Sequence, residues 1–206
     1  MRALLRQIFA TIVGMTAVGA AIGVMAQITT IPIDRTGSVV QEILATQQFQ
    51  ERVDEYVFLH RVLEGPLPLL RPTTNPGEIR IARRALGERM RAVRAGARQG
   101  DIISAEVALM FKRRIPACLR PEEWAAILTE LATDEQGTPK PVVPLRVNMP
   151  WPERVPFEFV PPQLLATLPQ LPPELQYRII GSSLVLWDDH ADLIVDFLPG
   201  AFTSTT

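Results

Sequence analysis

A chain of 206 residues suffices for one medium domain or two small ones, and 47% apolar with 21% charged residues is globular rather than disordered composition. A formal net charge of −1 excludes the strongly basic balance of most nucleic-acid binders. One cysteine, Cys118, excludes an intramolecular disulfide framework, so the fold must stand on its hydrophobic core, with Cys118 read as a small buried apolar residue.

Residues 1–26 read as an export signal. Arg2 and Arg6 form a positive start, Ile8–Ile22 is uncharged and mostly apolar, and Val24-Met25-Ala26 offers small residues for cleavage before Gln27. The competing reading is an uncleaved N-terminal anchor, because no charge falls between Gln7 and Ile33 and a span needs about 20 apolar residues. Both put the body outside the cytoplasm, either periplasmic or secreted or anchored to the inner membrane. Loss of the leader leaves 19 basic against 22 acidic residues, a charge of −3.

After a polar linker over 27–37, Ser38 caps a helix that runs to about Glu64. Phe49, Val53, Tyr56, His60 and Leu63 recur on one helical face, and Gly65-Pro66 stops it. A Pro-rich connector leads to Asn75-Pro76-Gly77-Glu78, a helix start with a cap, a first-turn proline and a first-turn acid. That helix is expected to reach about Arg98, with Gly100 as its stop. A third helix is expected near 104–115, ended by Pro116, and a fourth from Pro121 to about Ala132, with Glu122 and Glu123 at its positive end. Residues 38–135 thus read as a bundle of about four helices.

From 136 onward the pattern changes, since most of the 19 prolines lie at or beyond Pro139. Val142–Val147 reads as a strand and Pro162–Leu168 as a short helix. Tyr177–Ile180, Leu184–Trp187 and Leu193–Leu198 form an antiparallel β-meander with turns at Gly181-Ser182 and Asp188–Ala191. The fold class is α+β: a small helical bundle, a Pro-rich segment and a short C-terminal meander, packed together as one unit.

Four stretches, FQERVDEYVFLHRVLE (49–64), GARQGDI (96–102), VPLRVNMPWP (143–152) and YRIIGSSLVLWDDHADLIVDFLP (177–199), resemble a group of exported bacterial proteins with no assigned activity. The resemblance implies one unit with an export signal and transfers no site residues. The YR-x-x-G-x-x-L-x-L pattern is also similar to the C-terminal segment of periplasmic nickel/cobalt-homeostasis proteins.

Chemistry-bearing residues are few. His60, on an apolar face, reads as a core histidine hydrogen-bonded to backbone or a neighbour rather than as a catalytic group. No nucleophile elbow and no glycine-rich phosphate loop occurs. Asp188, His190 and Asp192, if extended, would project to one side and ligate a divalent cation; the alternative is a polar turn. An enzyme of unfamiliar type would need His60, His190 and Cys118 to converge on a cleft.

The stretch 80–100 holds seven arginines. At about 100° per residue, Arg80, Arg83, Arg84, Arg91, Arg94 and Arg98 share one helical arc, with Ile79, Ala82, Leu86, Met90, Val93 and Ala97 on a stripe beside it. That basic face is the candidate surface for an acidic envelope protein or anionic lipid. Solvation, or pairing with acids elsewhere, is the plainer alternative. Membrane contact otherwise runs only through the N-terminal segment if uncleaved, and no nucleic acid is expected. The leading expectation is therefore a non-catalytic envelope or periplasmic interaction protein with no cofactor; the alternative is a periplasmic metal-binding protein.

Overall fold

The apolar face of the first helix sets the plan of the molecule. A computed structural model describes residues 33–65, 74–134, 136–153 and 155–203. The expected leader (1–26), residues 27–32 and the Pro-rich connector over 66–73 lie outside the described residues. Helix α1 spans Ile33–Glu64 and buries Ala45, Phe49, Val53, Tyr56, Val57 and His60 along the expected face. It starts at Ile33, ahead of Ser38, so the expected linker to 37 is too long. Gly37 costs about 1 kcal/mol relative to alanine inside a helix, and the many residues of α1 beyond it outweigh that cost.

Helix α2 (Pro76–Val93) starts as its sequence indicates, with the Asn75 side chain accepting from the Gly77 amide at 2.9 Å. It ends at Val93, with Arg94 as its cap, and not near Arg98. Helix α3 (Ala105–Ala117) is capped by Ser104 and carries Pro116 in its last turn, where one lost backbone bond ends the helix. Helix α4 spans Pro121–Ala132, its Glu123 accepting from the Arg120 amide at 3.0 Å. Helix α5 is a single turn, Pro162–Leu165, shorter than expected.

The sheet has four antiparallel strands in sequence order: β1 (Glu158–Phe159), β2 (Leu175–Ile180), β3 (Ser183–Asp188) and β4 (Leu193–Leu198). The three long ones are the expected meander; β1 was not legible. Side chains alternate between two faces. Leu175, Tyr177, Ile179, Leu184, Leu186 and Leu193 join the helical core, where Phe49 packs on Phe111 and Tyr177 at centroid separations of 5.4 and 6.5 Å. Ile180, Val185, Trp187 and Ile194 form a second, smaller core on the other face with Trp151, Val143, Leu145 and Met149.

The Pro-rich segment is therefore a cover for the back of the sheet. Val142–Val147 forms no strand, contrary to expectation; Pro141 and Pro144 remove the amides a ladder needs. Its attachment comes just afterwards, where the Asn148 amide donates to the Ile194 carbonyl and the Ile194 amide donates to the Met149 carbonyl, each at 2.8 Å. Among the described residues no helix is long and apolar enough to cross a membrane.

One irregularity redirects a charged side chain. The β3–β4 register slips between Leu186 and Trp187: Leu186 faces Asp196, Trp187 faces Ile194, and Val195 faces no residue of β3. Such a bulge puts two consecutive residues on the same side. Val195 and Asp196 both turn toward the helices, and the buried Asp196 carboxylate accepts from the amides of Gly100, Ile102, Ile103 and Phe197 at 2.8–3.2 Å. This clamp requires the chain after Val93 to leave the helix and reach the sheet. Gly100 takes φ +92 to do so, a conformation that favours glycine.

Candidate metal centre

The polar groups of a helix end and those of a β-turn converge at the C-terminus of α1. The sequence places Tyr56, His60 and Glu64 four residues apart, hence on one helical face. Phe49 and Val53 anchor that face in the core, so Tyr56 and His60 enter the interior while Glu64 reaches its edge.

Opposite stands the turn that joins β3 to β4. Asp188 closes β3 with its side chain fully buried. Its Oδ2 accepts from the Tyr56 hydroxyl at 2.6 Å and lies 2.7 Å from His60 Nδ1, while Oδ1 accepts from the Ala191 amide at 2.8 Å. The expectation that His60 is a core histidine with a hydrogen-bonded partner is met. A carboxylate oxygen accepts here, so Nδ1 carries a proton and Nε2 is the ring nitrogen turned away from Asp188.

That second nitrogen is the distinctive atom of the site. It is buried, has no hydrogen-bond partner among the described residues, and lies 3.4 Å from Glu64 Oε2. Glu64 Oε1 in turn lies 3.4 Å from His190 Nδ1, and the two imidazole rings are 5.6 Å apart. One ligand atom from each of His60, Glu64 and His190 fits within a mutual separation of 4.8 Å. Two imidazoles and one carboxylate form a donor set suited to a divalent transition ion. A carboxylate on the far nitrogen of a ligating histidine fixes its tautomer and raises its basicity.

The electrostatics reflect that carboxylate. Burial opposes a charged imidazole, but the hydrogen bond and charge of Asp188, with the charges of Glu64 and Glu174, hold His60 above its ordinary value of 6.5. Burial, followed by the charge of Asp188, pushes the Tyr56 hydroxyl well above 10, so it stays a donor to Asp188. Arg94 lies 4.8 Å from the Tyr56 ring centroid and donates to Asn148 Oδ1 at 2.9 Å and the Val195 carbonyl at 3.3 Å.

Helix α2 holds the turn in place. Gly87 packs so tightly against it that a Cβ there would sit 2.5 Å from the Ala191 carbonyl oxygen. Arg83 donates to Asp189 Oδ1 at 2.8 Å. Arg89 donates to the Leu63 carbonyl at 3.1 Å, satisfying an orphan acceptor at the end of α1.

Two sequence expectations are thereby corrected. Asp188, His190 and Asp192 do not project to one side, because 189–192 is a turn and Asp192 takes φ +48, which breaks strand alternation. Asp188 points inward, Asp192 accepts from the Trp151 amide at 3.3 Å, and His190 alone meets the cluster. The six arginines also do not share one helical face. Arg94 and Arg98 lie beyond the helix, Arg83 is tied to the turn, Arg94 is drawn inward, and Arg84 pairs with Glu88 at 3.1 Å; Arg80 and Arg91 complete the set on α2.

Cys118 caps α3, half-buried, its thiol donating to the Ile115 carbonyl at 3.1 Å, and takes no part in the cluster. Tyr56 and Glu64 were missed as site residues, and His60 was read as a core histidine. The signal available was the i, i+4, i+8 spacing of Tyr56, His60 and Glu64, which core periodicity fully explained.

No family model matches this chain, and no curated protein does. Among solved structures it is similar to the C-terminal domain of inner membrane protein CigR from Salmonella enterica, at 19% identity and a TM-score of 0.25, over 64% of this chain and 98% of that one. A likeness at that level carries no argument about fold or function.

Proposed function

We propose that this chain is an exported protein that binds a divalent transition-metal ion through His60, Glu64 and His190. The observation that carries the reading is the His60 Nε2 atom: buried, without a hydrogen-bond partner among the described residues, oriented by Asp188, and facing a carboxylate that also faces His190. A buried polar atom without a partner costs about 1–3 kcal/mol, and a metal ion at this position removes that cost. The positive start, apolar run and small-residue site within residues 1–26 support export. Imidazole nitrogen favours zinc, nickel, cobalt or copper, while a single carboxylate is too little for calcium or magnesium. The ligands differ from those the sequence pointed to, with His190 shared between the two sets.

Calorimetry on the protein without its leader tests the reading. Zinc, nickel or cobalt should bind at micromolar concentration or tighter with one ion per chain. His190→Gln, an exposed replacement, should weaken binding at least tenfold without changing the thermal midpoint of the metal-free protein. Absence of binding by all three metals would overturn the proposal.

A further inference from the structure

The nearby carboxylates decide how many ligands the protein can supply. Asp188 is already occupied by Tyr56, His60 and the Ala191 amide. Asp189 is held by Arg83 and lies 3.4 Å from the Gln176 amide nitrogen. Asp192 accepts from the Trp151 amide, and Glu174 is bound to Arg61 at 2.6 Å. Asp188, Asp189 and Asp192 are thus engaged in holding the turn, and Glu174 is committed to Arg61 through Oε1, its buried Oε2 having no hydrogen-bond partner among the described residues; the ligands with a facing imidazole or carboxylate are His60, Glu64 and His190.

These three donors come together at the C-terminal end of α1. Glu64 Oε2 lies 3.4 Å from His60 Nε2 and Oε1 lies 3.4 Å from His190 Nδ1, and one atom from each residue falls within 4.8 Å of the others, so the side chains must close slightly to set three ligands at about 2.0–2.2 Å from one ion. Only His60 is buried; the Glu64 and His190 side chains are 46% and 48% exposed. Directions not taken by the three ligands therefore open to solvent past Glu64 and His190. Structural metal sites are closed by four protein ligands, whereas sites with three keep a position for water or another ligand.

We infer that the ion held by His60, Glu64 and His190 keeps at least one exchangeable coordination position, open to small monodentate donors such as an imidazole or a simple anion. This rests on the metal-binding reading above. It makes the site one for exchange or ligand capture and not a structural staple, and it identifies Asp188 as a positioning residue that acts through His60.

The test uses cobalt(II) as the probe, read by its visible absorption, with azide as the added donor. The expected result is a cobalt spectrum of low coordination number that shifts saturably on addition of azide. His190→Gln should abolish both the spectrum and the shift. A bound-cobalt spectrum that does not respond to azide would overturn the open position while leaving metal binding intact. Failure to bind cobalt, or a spectrum unchanged in His190→Gln, would overturn both this inference and the site itself.

Discussion

Two aspartates, Asp188 and Asp196, are fully buried on the same face of the same sheet, and they do opposite things. Asp196 is closed off by backbone: four amides, three of them from the loop over 100–103, converge on its two oxygens. Asp188 takes two of its three donors from side chains, Tyr56 and His60. A carboxylate held by amides fixes the path of a loop and ends there. A carboxylate held by an imidazole passes its influence to the far nitrogen of that ring, and here that nitrogen faces a half-exposed carboxylate and a second histidine. Chemically identical residues thus become a clamp and a ligand-positioning group according to what donates to them.

Breaking the clamp should cost most. Asp196→Ala strands three loop amides in the interior, at about 1–3 kcal/mol for each group left unsatisfied, so a loss of about 3–5 kcal/mol in urea unfolding is expected. A loss under about 1 kcal/mol would mean the loop does not depend on this residue. Metal affinity of the folded protein should change little, since Asp196 does not contact the ligands.

A smaller effect is expected from Gly87→Ala. The added Cβ meets a backbone oxygen of Ala191 that has no side-chain freedom with which to yield. Overpacking of this kind costs about 1–3 kcal/mol, and displacement of the turn that bears His190 should lower metal affinity in parallel. Full affinity with reduced stability would show that α2 does not position the site.

The finest contrast is Asp188→Asn, which keeps the shape and removes the charge. Loss of a carboxylate behind a ligating histidine lowers metal affinity about 10–100-fold, or about 1.4–2.7 kcal/mol, as calorimetry with zinc can measure. Asn at 188 keeps an acceptor for His60 Nδ1 but sets its amide nitrogen against the Ala191 amide, so some loss of thermal midpoint should accompany the drop in affinity. An unchanged affinity would reduce Asp188 to a second clamp.

Much of the scaffold was legible because it rests on local rules. Phe49, Val53 and Tyr56 announced the buried face of α1 by spacing alone. Asn75-Pro76 marked the start of α2 by cap chemistry, and short β-rich runs between turns marked the three long strands. The end of α2 was not legible: spacing and composition allow a helix to Arg98, but Arg94 is drawn toward Tyr56, Asn148 and Val195 while Asp196 captures the chain beyond it. For the same reason the arginine face holds as a helical arc only as far as Arg91, and Arg94 and Arg98 leave it. Asp188-His190-Asp192 looked like a site because alternation was assumed, and a left-handed Asp192 removes the alternation.

By itself the sequence determined where most helices and the three long strands form, which face of α1 is apolar, and that His60 is interior. Those properties are set by interactions within a few residues, where backbone sterics and side-chain periodicity dominate. Tertiary structure alone decided that His60, Glu64 and His190 meet, because Asp188 lies 128 positions from His60 and only sheet register, a bulge and a glycine contact bring that turn to the end of the helix. Long-range pairing depends on how whole faces pack, and no local pattern encodes it.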